Sequence, residues 1–542
     1  MRSSWFTAAL LCLPSALAAS FECSKPFINN LLADTAEALI VETITENGQF
    51  GQGLADAAYP NNATKLPALC AIHVRAQSSP LSNFTFGLFM PDNWNGRLWT
   101  VGNGGYGGGV NWVDMGAAAQ YGSAALSSDT GHNASSGDLS WAFGEDQNAS
   151  AERVTDWAHR AIHQSIVISK ELINKAYQDP VKYSYFSSCS TGGRQAMMGA
   201  QMYPEDFDGV VVGAPSYWMS HAVSWVNKNV VKNLPPNATH FIPSTLFPMI
   251  GKEVMRQCDA QDGVKDGIIS DPFACNFRTE ALLCGATPEY SNTTNCLNEA
   301  QLGTLRNIWQ DYYEGEEFVF PSLSLGAEDQ WVPMYYPRFL DSSTSNTSSI
   351  YGLVSPVLLK LAEQVTTSFE IDATKFDLSA FHERGGKMFH YHGLADGDFS
   401  PRSSIFFHDQ VKKAMNVQST DDWYRLFMIP GMQHCFDSTI DAPWYIAGGS
   451  QAWRLWEPGV RSVPGFEDPE HDATLAMIRW VEENKPIDKI VATAFKNGTW
   501  DVVRQRPICP WPTRAVFMGG DVNASDSWEC SGQYRDGPTI VS

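Results

Sequence analysis

Tyr183-Ser184-Tyr185-Phe186-Ser187-Ser188-Cys189-Ser190-Thr191-Gly192-Gly193-Arg194 is the stretch on which the reading of the fold turns. From Tyr183 to Ser187 it alternates aromatic and small residues, the pattern of a buried strand. A helical pattern from Gln195 to Tyr203 and an apolar run from Gly209 to Gly213 follow, which makes a strand, helix, strand unit. Ser190 sits at the strand-to-helix junction with Ser188 and Gly192 two residues away on either side. A nucleophilic serine on a strained turn of this kind needs small residues at those two positions so that the backbone can reverse. The usual Gly-x-Ser-x-Gly form is here Ser-x-Ser-x-Gly, a changed pattern with the same steric logic. Taken alone, the hexapeptide also fits a Ser and Gly turn with no chemistry.

Outward from this unit, Leu98 to Val101, Lys387 to His392 and Tyr424 to Ile429 read as further strands, and Asp472 to Glu483 has a helical pattern with Leu475, Ile478 and Val481 on one face. Strands alternating with helices predict an α/β fold. Between Ser216 and about Thr374 the rhythm weakens and cysteines, sequons, prolines and Asp-Gly turns crowd together. The expected organisation is an α/β-hydrolase core made of 19–215 and 375–542, with 216–374 inserted as a lid.

α/β-Hydrolases place their triad in the chain order Ser, acid, His, with the acid and the histidine on loops after later strands. Both places are filled. Gly393-Leu394-Ala395-Asp396 follows the strand ending at His392, and Pro430-Gly431-Met432-Gln433-His434 follows the strand ending at Ile429. The long interval between Ser190 and Asp396 is where the lid lies. Asp398 is the rival acid, but Asp396 comes first after the strand-end turn. His390 and His392 share one face of their strand and suggest a metal pair, yet no further ligands stand nearby and a structural role is the simpler reading.

Cys189 immediately precedes Ser190, and Cys435 immediately follows His434. If the serine and the histidine meet within hydrogen-bond reach, their neighbours come within the Cα separation of about 4.4 to 6.8 Å that a disulfide needs. The predicted Cys189–Cys435 bridge and the predicted Ser190, Asp396, His434 triad therefore support each other.

Cys-Ser, a later Asp and His-Cys together resemble the tannase and feruloyl esterase family, over nearly the whole mature chain and including Asn103-Gly104-Gly105 and the tail cysteines. The resemblance implies an α/β-hydrolase core with a large lid, a structural calcium, and hydrolysis of feruloyl, galloyl or related aromatic acyl esters. Feruloyl or cinnamoyl esters are the expected class and galloyl esters the alternative. A serine peptidase and a non-catalytic binder on the same scaffold are the remaining readings. In the implied mechanism His434 takes the Ser190 proton, the alkoxide attacks the ester carbonyl, Asp396 orients the imidazolium, and water resolves the acyl-enzyme. Two N–H donors are needed for the oxyanion: Thr191, after the nucleophile, and Gly105, in the glycine run after the strand Leu98 to Val101.

Cys258-Asp259-Ala260-Gln261-Asp262-Gly263-Val264-Lys265-Asp266-Gly267-Ile268 crowds three carboxylates into eight residues. Hard oxygen donors suit calcium, which takes about 6 to 8 of them. The twelfth-position Glu of an EF-hand is missing. By resemblance, the ligands are the side chains of Asp259, Asp262 and Asp266 and the main-chain carbonyls of Val264 and Ile268. Sequence order suggests the further bridges Cys23–Cys70, Cys258–Cys275, Cys284–Cys296 and Cys509–Cys530, although spacing alone does not determine connectivity. Of the lid aromatics Trp218, Trp225, Trp309, Trp331, Tyr335, Tyr336 and Phe339, most are expected to be core. Trp331, after Gly326-Ala327-Glu328, is the candidate wall of an acyl pocket.

The start of the chain reads as a secretory signal over residues 1–18: Arg2, an apolar run from Trp5 to Leu13, and the small-residue site Ala16-Leu17-Ala18. Its removal takes Cys12 from the eleven cysteines and leaves an even set suited to an oxidising compartment. Sequons at Asn62, Asn83, Asn133, Asn148, Asn237, Asn292, Asn346, Asn497 and Asn523 fit a secreted, extracellular protein. The 542 residues carry a formal net charge of -22, which argues against nucleic acid and anionic lipid as partners. The expected partner is a small aromatic ester, free or attached to plant polysaccharide; oligomeric state is not read from the sequence.

Overall fold

The protein is described from a computed structural model over residues 21–290, 295–331, 356–457, 459–535 and 540–541. The leader, the sequons at Asn292 and Asn346, and Tyr335, Tyr336 and Phe339 lie outside the described residues. One sheet organises the chain. Its strands are β1 (Ala36–Ile44), β2 (Leu69–Ser79), β3 (Ser82–Pro91), β4 (Arg97–Val101), β5 (Ala124–Ser128), β6 (Tyr183–Cys189), β7 (Gly209–Gly213), β8 (Lys387–Gly393) and β9 (Tyr424–Ile429). They pair in the order β1-β2-β3-β5-β4-β6-β7-β8-β9. The first pairings, up to β3 with β5, are antiparallel. From β5 through β9 every pairing is parallel.

A parallel sheet must be covered on both faces, because its crossovers place helices on each side. Successive residues here are apolar in both directions. Leu98, Phe186, Val210, Met388 and Leu426 pack with α2 (Ala161–Tyr177), α3 (Thr191–Met202) and α4 (Pro401–Ala414). Their neighbours Trp99, Tyr185, Val211, Phe389 and Phe427 pack with α1 (Trp112–Ala119) and α5 (Ala473–Glu483). The result is an α/β fold of helix, sheet and helix layers, with the C-terminal ends of the parallel strands β6, β7, β8 and β9 along one edge.

The sequence placed Leu475, Ile478 and Val481 on one face of α5, and Ile478 and Val481 do pack, partly buried, against the core. The fully buried residues are Ala473, Thr474, Ala476, Met477 and Trp480. Small residues let the helix approach the sheet closely, and Trp480 fills the remaining volume, so Leu475 lies on the flank. The added Cβ of a residue at Gly209 would stand 2.7 Å from the Met477 sulfur, which shows how tight the approach is.

The segment between β7 and β8 is more regular than its sequence texture suggested. It contains the helices Met219–Asn233, Phe247–Cys258, Glu299–Ile308 and Pro356–Ser368. Glu299–Ile308 starts on a capping box in which Asn298 and Gln301 satisfy each other's backbone amides. These helices enclose a core of their own, with Trp225, Phe247, Trp309, Phe320 and Trp331 at its centre. Arg194, in the first turns of α3 and fully buried, ties this segment to the sheet. Its guanidinium donates to Ala158 O at 2.8 Å and Ile371 O at 3.0 Å, and lies 4.4 Å from the Trp157 ring centroid.

The assignment of the α5 face predicts unequal costs. Trp480→Ala lowers the unfolding free energy by about 3 to 5 kcal/mol, and Leu475→Ala by less than half as much, in urea titrations followed by tryptophan fluorescence. Equal losses at the two positions would contradict the observed face.

Candidate active site

Ser190 stands between β6 and α3 with φ 61 and ψ -123. A non-glycine residue held there stores strain of about 1 to 3 kcal/mol, which the surrounding packing must impose. The neighbours show how. A Cβ added at Gly192 would lie 1.9 Å from Ser188 Oγ, and one added at Gly193 would lie 2.6 Å from Gly213 O. The Ser190 amide donates to Gly213 O at 3.0 Å, so β7 pins the turn. The loop through Gly449 presses on the other side: a Cβ there would stand 2.4 Å from Ser188 Cα. Ala214 and Cys435, at φ 30 and 67, share the left-handed conformation beside Ser190.

Asp396 and His434 come from the loops after β8 and β9. His434 Nδ1 donates to Asp396 Oδ2 at 2.7 Å. His434 is partly open, with 12% of its side chain accessible, whereas Asp396 is fully buried. Two amides, Asp398 N at 2.7 Å and Phe399 N at 2.9 Å, donate to Asp396 Oδ1. Burial alone would push the Asp396 carboxyl up. The His434 charge and the hydrogen bonds from His392 and His434 outweigh it and hold the carboxyl well below the usual carboxylate range. Asp398 lies on the other side of the imidazole, its Oδ2 3.8 Å from Nε2, and is not the group that orients Nδ1.

Cys189 and Cys435 are bonded, with Cα atoms 5.8 Å apart and 246 residues between them. The bridge joins the residue before Ser190 to the residue after His434. The other four disulfides are Cys23–Cys70, Cys258–Cys275, Cys284–Cys296 and Cys509–Cys530.

Two residues that touch the Asp396 and His434 loops, Gln330 and Phe399, carried no sequence signal. Gln330, at the end of the short turn Glu328–Gln330, accepts from Gly397 N at 2.8 Å and from His434 N at 3.2 Å, so one side chain from the segment between β7 and β8 holds both the Asp396 loop and the His434 loop. Glu328 in the same turn accepts from Gly326 N, and burial pushes its carboxyl up to about 8. Phe399 packs against the His434 ring, with centroids 5.5 Å apart. Only contacts across the fold identify such residues.

Of the two expected oxyanion donors, Thr191 lies at the elbow itself. Thr191 opens α3, where a first-turn N–H has no intrahelical acceptor. Asn103 N donates to Gln195 Oε1 at 3.0 Å, anchoring the Asn103-Gly104-Gly105 run over α3. The Gly104 amide is engaged with Tyr59 OH at 2.8 Å. At Gly105 the φ is +57 and an added Cβ would stand 2.6 Å from Ser136 O, so the position requires glycine.

Trp331 is not on an open wall. It is fully buried in the core of the inserted segment, 5.5 Å from the Phe247 ring and 5.8 Å from the Trp309 ring. Trp225 and Trp309 belong to the same core, and Trp218 stacks on His221 at 3.6 Å.

The loop from Asp259 to Ile268 is held by its own amides. Asp259 Oδ1 accepts from Asp266 N and Gly267 N, Asp262 Oδ1 from Val264 N, Asp262 Oδ2 from Ser270 N, and Asp266 Oδ1 from Ile268 N. Asp266 Oδ2 pairs with Arg506, whose guanidinium lies 3.7 Å from the Trp528 ring centroid. Burial, with a smaller contribution from the Asp266 charge, raises the Asp262 carboxyl. The oxygen donors suit a hard cation in kind. Among the described residues no three ligand side chains close around one point, and Arg506 neutralises one of the three carboxylates.

The family model described as tannase and feruloyl esterase matches residues 68–351 and 354–531. A relative named "Probable feruloyl esterase B-1", from Aspergillus oryzae, is 33% identical over 478 residues, covering 85% of this chain and 84% of its own. The crystal structure of feruloyl esterase B from Aspergillus oryzae superposes with a TM-score of 0.82 at 30% identity, covering 94% of this chain and 99% of that one. Tannin acyl hydrolase from Aspergillus niger shares the fold, with a TM-score of 0.69 at 19% identity, 94% of this chain and 95% of that one.

The Cys189–Cys435 bridge predicts a local rather than a global effect. With both cysteines replaced by serine, hydrogen exchange of the amides in 431–437 accelerates at least about tenfold while β9 keeps its protection. Unchanged exchange in 431–437 would show that Gln330 and Asp396 hold the loop without the bridge.

Proposed function

The chain belongs to the tannase and feruloyl esterase family and is a carboxylic ester hydrolase; from that premise we propose that it cleaves feruloyl and related cinnamoyl esters of plant phenolic acids through a Ser190 acyl-enzyme. The observation that carries this reading is the His434 to Asp396 hydrogen bond of 2.7 Å on a loop that the Cys189–Cys435 bridge joins to the Ser190 turn. In the proposed cycle His434 Nε2 takes the Ser190 proton and the alkoxide attacks the ester carbonyl. Asp396, kept anionic by its hydrogen bonds, stabilises the imidazolium. Thr191 and Gly105 amides receive the oxyanion, His434 returns the proton to the leaving alcohol, and water repeats the sequence on the acyl group. The feruloyl preference is supported by relatives named feruloyl esterase at 33% and 30% identity, against 19% for the tannin acyl hydrolase.

Secretion belongs to the same proposal. The five disulfides support it, as do exposed sequon asparagines at 62, 83, 133, 148, 237, 497 and 523. Asn133 is the least suitable glycan site, since its Nδ2 already donates to Ala55 O at 2.7 Å. Among the described residues no helix is long and apolar enough to cross a membrane. For the loop 259–268 the proposal is a structural calcium held by Asp259, Asp262, Asp266 and the Val264 and Ile268 carbonyls. The all-oxygen donor set and the Cys258–Cys275 staple at its base support it.

Three measurements test these readings. Ser190→Ala lowers kcat by about 10^6-fold and Asp396→Asn by about 10^4-fold, with unchanged unfolding curves, whereas Asp398→Asn leaves kcat of the same order. Near wild-type turnover by Ser190→Ala would assign the nucleophile elsewhere. On methyl ferulate against methyl gallate, kcat/KM favours ferulate; a preference for gallate of about tenfold or more would make galloyl esters the substrate class. Chelation lowers Tm and added calcium restores it; an unchanged Tm with no calcium by elemental analysis would remove the metal.

A further inference from the structure

A Ser, His, Asp arrangement leaves one partner of the acid unexplained. Asp396 Oδ2, the oxygen that receives His434 Nδ1–H, receives a second donor from His392 Nε2 at 2.9 Å. His392 Nδ1 meets Ser404 Oγ at 2.7 Å, Ser404 Oγ meets His390 Nε2 at 2.8 Å, and His390 Nδ1 meets Tyr424 OH at 2.9 Å. All five residues are 0% exposed, and they come from β8, the loop after it, α4 and β9.

Burial of the whole row lets its proton positions be worked out. An ionised carboxylate only accepts, so His392 Nε2 donates to it. If His392 is a neutral ring, its Nδ1 accepts, and the donor is the single proton of Ser404. Ser404 Oγ then accepts from His390 Nε2–H, and His390 Nδ1 accepts from Tyr424 O–H. Every proton points toward Asp396. The reverse direction would leave the buried Tyr424 proton without an acceptor among the described residues, at a cost of about 1 to 3 kcal/mol. His390 is held neutral, first by burial and then by the facing His392 and His408.

We infer that His392 is a positioning residue for the catalytic triad, set in one tautomer by the Ser404, His390 and Tyr424 chain so that it holds the Asp396 carboxylate in the plane that receives His434. With two amides on Oδ1 and two imidazoles on Oδ2, rotation of the carboxyl breaks several hydrogen bonds at once. The second donor also keeps the acid anionic while His434 carries the serine proton. A row that merely satisfied buried polar groups would contribute to stability and not to the chemical step.

This inference rests on the triad reading, and the experiment separates the two. His392→Phe, His392→Gln, Ser404→Ala and Ser190→Ala are compared in the full chain on methyl ferulate, each normalised to folded protein by circular dichroism. A glutamine amide reaches the position of Nε2 and can donate to Asp396, whereas phenylalanine cannot. Expected is a fall in kcat of up to about 100-fold for His392→Phe with KM within about twofold, recovery to within about fivefold in His392→Gln, and an intermediate loss in Ser404→Ala. Wild-type kcat in folded His392→Phe, or a His392→Gln variant as impaired as His392→Phe, would overturn the inference. If His392→Phe does not fold, wild-type kcat in Ser404→Ala overturns it and a reduced kcat at unchanged KM supports it. Turnover by Ser190→Ala would sink the triad reading and this inference together, while an inactive Ser190→Ala beside a fully active His392→Phe would sink this inference alone.

Discussion

A carboxylate with no solvent contact is expensive to bury unless every lone pair is used, and Asp396 is such a group. Its four donors come from its own loop, from β8 and from the loop after β9. Meeting them requires those segments to lie in one register. Leu394 N donates to Ile429 O at 2.9 Å and Ala395 N to Met432 O at 3.0 Å, which zips the acid loop to the histidine loop. Gly393 permits the approach, since a Cβ there would stand 2.2 Å from Met432 O. The anion thus sets the geometry of the strand ends, and the strand ends make the anion tolerable.

The serine side is held by a different device. Its turn is strained, and the strain is contained by close backbone contacts on both sides of Ser188 and by a covalent bond from Cys189 to the histidine loop. A bridge closing so long a segment restricts the unfolded chain strongly. In the folded state it makes the Ser190 turn and the His434 loop a single unit. Gln330 then ties the segment between β7 and β8 to that unit.

Legibility followed the kind of signal. The strands Gly209–Gly213 and Tyr424–Ile429 were read to the residue, because a buried parallel strand is an apolar run with sharp ends. α5 was found and its Ile478 and Val481 do pack against the core, but the deepest contact is made by Ala473, Ala476, Met477 and Trp480, which hydrophobic periodicity, weighted toward large aliphatic residues, passes over. Trp331 was placed on a pocket wall because aromatic residues are equally at home in a site and in a core, and only packing against Phe247 and Trp309 distinguishes the two. The His390 and His392 pair was visible as two histidines on one strand face, but the hydroxyl between them comes from α4.

The sequence by itself determined the α/β class, the placing of Ser190, Asp396 and His434 just after successive strands, and the pairing of Cys189 with Cys435, because each is written in local periodicity or in residues adjacent along the chain. Tertiary structure alone decided which oxygen of Asp396 faces His434, that Gln330 clamps two loops, and that Ser404 links two histidines. These are hydrogen bonds between segments far apart in the chain, and no spacing rule encodes them. Their donors and acceptors acquire partners only when burial removes water as the alternative.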